Sequence, residues 1–249
     1  FIFGACVFSF LTVVIYRLPK GENFVYGRSH CPDCGRMLSA GELIPCVSYL
    51  VQRGRCLGCG MRISGQYILV ECLGGIAFVF FISCFGSGET GFLSLRGWIG
   101  FIYMGILTVV AFIDWNTKII YDRFHIFIVL LGIAAIWVFP EHGIKEKLLG
   151  AVIVSVPMLV LALLIEGAFG GGDIKLMAAS GWLLGFRAMI PAIFIGILSG
   201  GIYCIWMLAR GKMSRKDRFA FGPFLAIGLA ISCLFGEQIL TWYLSVWQI

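Results

Sequence analysis

Two aspartates stand where an acid is out of place. Asp173 closes the run Gly170-Gly171-Gly172-Asp173 between the apolar stretches 148–165 and 174–186, and Asp114 ends the apolar run 98–113. A carboxylate at the edge of a bilayer core costs roughly 2.5–3.5 kcal/mol on insertion scales, so by default it marks a functional site. The competing reading of Asp173 is a helix break with a snorkelling acid. Three glycines in succession weaken a helix and let another backbone come close. The two carboxylates are expected to meet. Acids that share a site do not both ionise easily, so one keeps a proton while the other is free to act as a base.

A second set of residues points to a metal. Cys31-Pro32-Asp33-Cys34 is followed, after 21 residues, by Cys56-Leu57-Gly58-Cys59. Two such pairs supply four thiolates to one tetrahedral ion, and this spacing reads as structural zinc. A disulfide pair is the alternative, which a reducing cytosol disfavours. The segment around these cysteines has no large apolar core and needs such a staple. His30 is adjacent to the first cysteine, but four cysteines already complete the ligand set. The other six cysteines match no motif, and most read as small apolar residues in helices.

The elements that must position these groups are membrane helices. The chain is 60% hydrophobic and 13% charged, with a mean hydropathy of +0.97. Soluble domains are nearer 45–50% apolar and 25% charged, so a soluble globular enzyme is excluded. Apolar runs at 1–16, 67–85, 98–113, 124–139, 148–165, 174–186, 188–209 and 220–235 predict about eight spans, with 238–249 as a separate interfacial segment. The expected fold is an all-α polytopic membrane protein. A first transmembrane helix occupies 1–16, a small zinc-binding domain 17–66, and the transmembrane catalytic domain 67–249. The first apolar stretch leads into a basic segment with no small-residue cleavage site, so no cleavable signal peptide is expected.

Charge gives the orientation. Fourteen lysines and arginines fall in three loops, after the first span, after Asp114 and before the last span, against four on the other side. The positive-inside rule places the first group, with the cysteine segment and both aspartate loops, in the cytoplasm. The formal net charge of +6 is thus a topology signal. Nucleic acid is not expected as a partner, because the basic residues form no single stripe.

Motifs in order along nearly the whole chain resemble the type IV prepilin leader peptidases. They are Ser9-Phe10-Leu11-Thr12-Val13-Val14-Ile15-Tyr16-Arg17-Leu18-Pro19, Arg28-Ser29-His30-Cys31-Pro32-Asp33-Cys34, and Ile44-Pro45-Cys46-Val47-Ser48-Tyr49-Leu50. Arg53-Gly54-Arg55-Cys56, Ile63-Ser64, Tyr67 and Glu71 follow. Then come Phe112-Ile113-Asp114, the glycine run through Asp173-Ile174-Lys175-Leu176, and Phe221-Gly222-Pro223-Phe224. The resemblance implies a multi-pass aspartic endopeptidase of the cytoplasmic (inner) membrane. It would cut the short basic leader from prepilins and pseudopilins at the cytoplasmic face, with Asp114 and Asp173 as the catalytic pair. Gly170 and Gly172 would let the substrate backbone lie beside Asp173. By analogy alone it implies a second activity, methylation of the new N-terminal amine by S-adenosylmethionine. No glycine-rich strand-to-helix fingerprint marks a site for that cofactor.

The sequence departs from the family pattern at two places. Tyr121 stands where a proline usually precedes Asp122, and Thr12 where an asparagine is common. Asp122 is the second candidate for the first catalytic acid, against a helix N-cap for the span beginning near Phe124. Glu71 is read as a residue that shapes the site or receives the substrate's amine, or as an interfacial acid paired with a base. Glu166 reads as interfacial. Lys175 either neutralises Asp173 or snorkels. Glu22, Asp33 and Glu42 are expected to receive the basic leader. The alternatives of other classes are a proton-coupled transporter using the intramembrane acids and a membrane anchor carrying a zinc interaction module. The transporter reading leaves the cysteine domain unexplained, and the anchor leaves the acids unexplained. Oligomeric state has no signature in the sequence.

Overall fold

A computed structural model describes residues 1–85, 94–139, 143–165, 167–212 and 219–246. Glu166 lies outside the described residues. The described residues form α1 (Ile2–Arg17), α2 (Val47–Val51), α3 (Gly65–Phe85), α4 (Leu95–Thr117), α5 (Asp122–Val138) and α6 (Ile144–Ile153). They continue as α7 (Ser155–Leu164), α8 (Gly171–Leu184), α9 (Phe186–Ala209) and α10 (Gly222–Val246). Among the described residues there is no strand, only the isolated bridges His30↔Met37 and Arg55↔Arg62. The chain divides into two compact units, Phe1–Gly105 and Ile106–Ile249.

In the first unit α1 packs along α3. A Cβ on Gly4 would strike the Gly74 carbonyl, and one on Gly74 would strike the Phe8 ring. Small residues let membrane helices approach this closely, where packing rather than water exclusion holds them together. Phe3, Phe78, Trp98 and Phe101 fill the space beside this contact, with Phe78 and Phe101 ring centroids 5.1 Å apart. Between α1 and α3 runs the polar cysteine segment, with the 3-10 turns Leu18–Lys20 and Ala40–Leu43 and the short α2.

In the second unit α8 is packed by α5, α6, α7, α9 and α10. Leu176, Met177 and Ser180 of α8 are fully buried. Gly150 of α6 and Gly181 of α8 face each other backbone to backbone, where neither position has room for a Cβ. α6 and α7 are one bent span. Pro157 cannot donate to residue 153 and its ring crowds that carbonyl, which breaks the helix at Val154.

The described residues form eight apolar helical segments, as the hydropathy pattern predicts, if α6 and α7 count as one. Six of them are long and apolar enough to cross a membrane. The other two, α5 and α8, have 17 and 14 residues. At 1.5 Å per residue, α8 is only about 21 Å long, against a hydrocarbon core of about 30 Å. The separate segment expected at 238–249 is not separate: α10 runs unbroken to Val246. No glycine or proline interrupts the helix between Gly236 and Val246, and Trp242 and Tyr243 continue its last turns.

Candidate active site

Asp114 lies one turn before the end of α4 and is 5% exposed. Lys118, at φ 57°, ends that helix in the left-handed conformation, and its amide donates to the Asp114 carbonyl at 2.7 Å. The Asp114 side chain receives a hydrogen bond of 2.9 Å from the amide of Gly222, the first residue of α10. The first amides of a helix have no partner inside it and carry the positive end of its dipole, so this is a favourable place for a carboxylate. Glycine at 222 leaves the carboxylate its place: a Cβ there would lie 2.7 Å from Asp114 Oδ2.

Asp173 is the third residue of α8 and is 9% exposed. Its Oδ2 accepts from the amide of Gly170 at 3.3 Å, while its own amide donates to the Gly170 carbonyl at 3.1 Å. This is the reciprocal arrangement of a capped helix start. Both acids therefore rest on helix N-termini, α10 for Asp114 and α8 for Asp173. They lie within electrostatic range of each other. Asp173 Oδ1 is buried and, among the described residues, has no hydrogen-bond partner. A buried carboxylate oxygen without a donor is open to a water or to a substrate group.

The three glycines divide their roles. A Cβ on Gly170 would lie 3.0 Å from Asp173 Oδ2, and one on Gly172 would lie 3.0 Å from the Ile120 Cβ. Gly171 has open space around it. Gly170 thus keeps room at the carboxylate, and Gly172 allows Ile120 to approach the helix start.

Asp122 is not the N-cap of α5. Tyr121 occupies that position, and Asp122 begins the helix with its side chain turned to Lys175, Oδ1 to Nζ 2.8 Å. Lys175 neither snorkels alone nor reaches Asp173. The signal missed in the sequence is that two exposed, opposite charges lie next to the two ends of the aspartate loops.

Glu71 belongs to the first unit and makes its contacts there. Its Oε1 accepts from the Ser9 hydroxyl at 2.8 Å and its Oε2 from the Cys46 amide at 2.7 Å. Cys46 is held at φ 61°, ψ −46°, in a tight three-residue turn closed by the Val47 amide on the Pro45 carbonyl. That conformation is strained for a residue with a side chain. Of the three acids expected to receive a leader, Glu22 and Asp33 are exposed, while Glu42 is engaged by Arg36 and by the amide and hydroxyl of Ser39.

Cys31, Cys34, Cys56 and Cys59 bring their sulfurs within 4.8 Å of one another. Cys31 and Cys59 are 3.9 Å apart, close to the edge of about 3.8 Å that Zn–S bonds of about 2.3 Å give in a tetrahedron. Two matching turns build the cluster. Gly35 and Gly60, both at positive φ, donate to the carbonyls of Cys31 and Cys56, and those cysteines donate to Arg36 and Met61. Amides of Cys59 and Gly58 hold the Cys56 thiol below its ordinary value. The four thiols fit a metal ion. His30 is not among the clustered ligands.

Residues 2–85 match the bacterial peptidase A24 N-terminal domain, and residues 101–205 match the type IV leader peptidase family. The second match contains both aspartates. A prepilin leader peptidase/N-methyltransferase of Bacillus subtilis (strain 168) is 32% identical over 246 residues, covering 99% of this chain and 97% of that protein. The chain belongs to the type IV leader peptidase family. Proteins with the same printed name from Aeromonas salmonicida (strain A449) and Legionella pneumophila are each 28% identical. They cover 98% and 99% of this chain, and 92% and 94% of those proteins. No solved structure matches. With six helices long and apolar enough to cross a membrane among its described residues, this family member is a membrane protein.

Proposed function

We propose that this chain cleaves the basic leader peptide from type IV prepilins and pseudopilins at the cytoplasmic face of the inner membrane, with Asp114 and Asp173 as its catalytic pair. The observation that carries this reading is the pair of buried carboxylates on two helix N-termini, one with an open oxygen. In the reaction, the ionised member of the pair takes a proton from a water that attacks the scissile carbonyl, and the protonated member donates to the carbonyl oxygen. Collapse of the tetrahedral intermediate returns a proton to the leaving amine. The two residues act as one titrating unit, so no separate acid and base are named. Gly170 leaves room for the substrate backbone beside Asp173.

The four cysteines hold zinc, whose preference for four thiolates in a closed tetrahedron matches the cluster. It cross-links a segment that has little apolar core of its own, and no chemical step passes through it. The fourteen basic residues of three loops support the cytoplasmic placement of this domain and of the aspartate loops. The relatives' printed names support N-methylation of the new N-terminus as a second activity. The described residues, having no strand, do not fit a strand-to-helix nucleotide fold for S-adenosylmethionine. Nothing favours the transporter alternative.

The test is to incubate the purified full chain with a purified prepilin in detergent and weigh the products. Loss of the leader mass at a single peptide bond supports the proposal. An intact prepilin in every case, together with proton uptake by proteoliposomes carrying the chain, would replace it with the transporter reading.

A further inference from the structure

We propose that Asp122 and Lys175 are a positioning pair that fixes the first turn of α8, and with it the Asp173 carboxylate; this rests on the reading of Asp173 as catalytic. The first turn of α8 begins with Gly171 and Gly172 after the N-cap Gly170, and glycine is the residue least able to hold a helical turn by itself. Besides the Gly170–Asp173 cap, two contacts from residues 120–122, at the start of α5, hold it. Ile120 lies against Gly172, with only 3.0 Å available to a Cβ. The His125 ring, in the first turn of α5, is buried. Lys175 Nζ meets Asp122 Oδ1 at 2.8 Å, and the same oxygen lies 3.4 Å from His125 Nδ1. Gly172 and Lys175 flank Asp173 in the sequence, so the anchors lie on both sides of the acid.

The Asp122 and Lys175 side chains are 67% and 58% exposed. An ion pair in that setting adds little to global stability. A role in positioning thus separates from a role in folding: breaking the pair should slow catalysis without lowering the melting temperature. It also separates from a role as a reacting acid, because a lysine and an aspartate can exchange places in an ion pair but not in proton chemistry.

The experiment measures kcat, KM and melting temperature of the full chain in detergent with a purified prepilin. The variants are Asp122→Lys, Lys175→Asp and the exchanged double variant, beside the wild type and Asp173→Asn. The two single variants are expected to lose about tenfold in kcat, as an acid displaced by a fraction of an ångström would, with KM and melting temperature unchanged. The double variant is expected to regain most of the loss. A parallel set, Asp122→Asn, Lys175→Gln and both together, avoids repelling charge should an exchanged variant not fold; there the second substitution is expected to add almost nothing to the first. Additive losses in this set, or single variants with wild-type kcat, would overturn the proposal. So would an Asp122→Asn variant as inactive as Asp173→Asn and not matched by Lys175→Gln, which would make Asp122 a reacting acid. Failure of the wild type to cut would refute the underlying peptidase reading instead.

Discussion

Replacing Gly222 by alanine should disable the site while leaving the fold intact. The position is helical and has no positive φ, so alanine is compatible with the backbone. Its Cβ would sit 2.7 Å from Asp114 Oδ2 and 3.0 Å from Cγ, where ordinary contact begins at 3.4 Å. The obstacle is the end of a side chain rather than backbone, so the carboxylate gives way, by about 0.7 Å on that difference. This movement lengthens the hydrogen bond of 2.9 Å from the Gly222 amide. A hydrogen bond to a charged group is worth about 1.5–3 kcal/mol, and displacement by about 1 Å costs a catalytic group on the order of a hundredfold. The expected loss in kcat/KM for leader removal is therefore about ten- to a hundredfold, measured by mass spectrometry of a prepilin digest over time. Gly201→Ala is the control, since a Cβ there meets nothing within 4 Å. Activity of Gly222→Ala within twofold of wild type would refute the claim that this amide holds Asp114.

Three further outcomes follow from the first unit. Cys56→Ser should reduce bound zinc, measured by inductively coupled plasma mass spectrometry, from one ion per chain to a small fraction, because only three thiolates remain; undiminished metal would place the ion elsewhere. Glu71→Ala leaves the Ser9 hydroxyl and the Cys46 amide without their acceptor, and should lower stability by about 1–3 kcal/mol in a denaturant titration. An unchanged midpoint would show that the Cys46 turn holds itself. The Ser39 amide, then its hydroxyl and Arg36, keep the Glu42 carboxyl below its ordinary value. Its contribution to stability is complete above the unfolded value of about 4.3 and is lost as the pH falls through the lower folded value. A carbon-13 titration should give Glu42 a midpoint below that of an unfolded glutamate, and Ser39→Ala should raise it; an ordinary midpoint in the wild type would contradict the assignment.

What was legible in the sequence is what local chemistry dictates. The spacing of Cys31, Cys34, Cys56 and Cys59 announces a tetrahedral cluster because each pair closes a short turn around its own glycine. The apolar runs announce the helices, and the acids Asp114 and Asp173 are conspicuous because each interrupts or ends such a run. The contacts that position them were not legible. Gly222 is 108 residues from Asp114, and nothing near either residue predicts that one donates to the other. The Gly222-Pro223 start of α10 is a recognisable helix N-terminus, but which anion it faces is a property of packing. Asp122 reads as a cap by residue type, yet its proximity to Lys175 across 53 residues offers a charged partner instead. Glu71 is an acid inside a helix by sequence, and only the fold shows both of its oxygens occupied by Ser9 and Cys46.

The most direct test of the central claim compares leader removal by the wild type, Asp114→Asn and Asp173→Asn, each purified in the same detergent and checked by thermal melting. Two carboxylates acting as one acid–base unit predict that each substitution lowers the rate by at least about a hundredfold. Both variants should remain folded and melt cooperatively, because asparagine keeps the shape of the side chain and an oxygen acceptor for the helix amide. A folded Asp114→Asn or Asp173→Asn variant that cuts the prepilin within tenfold of the wild-type rate would contradict the account.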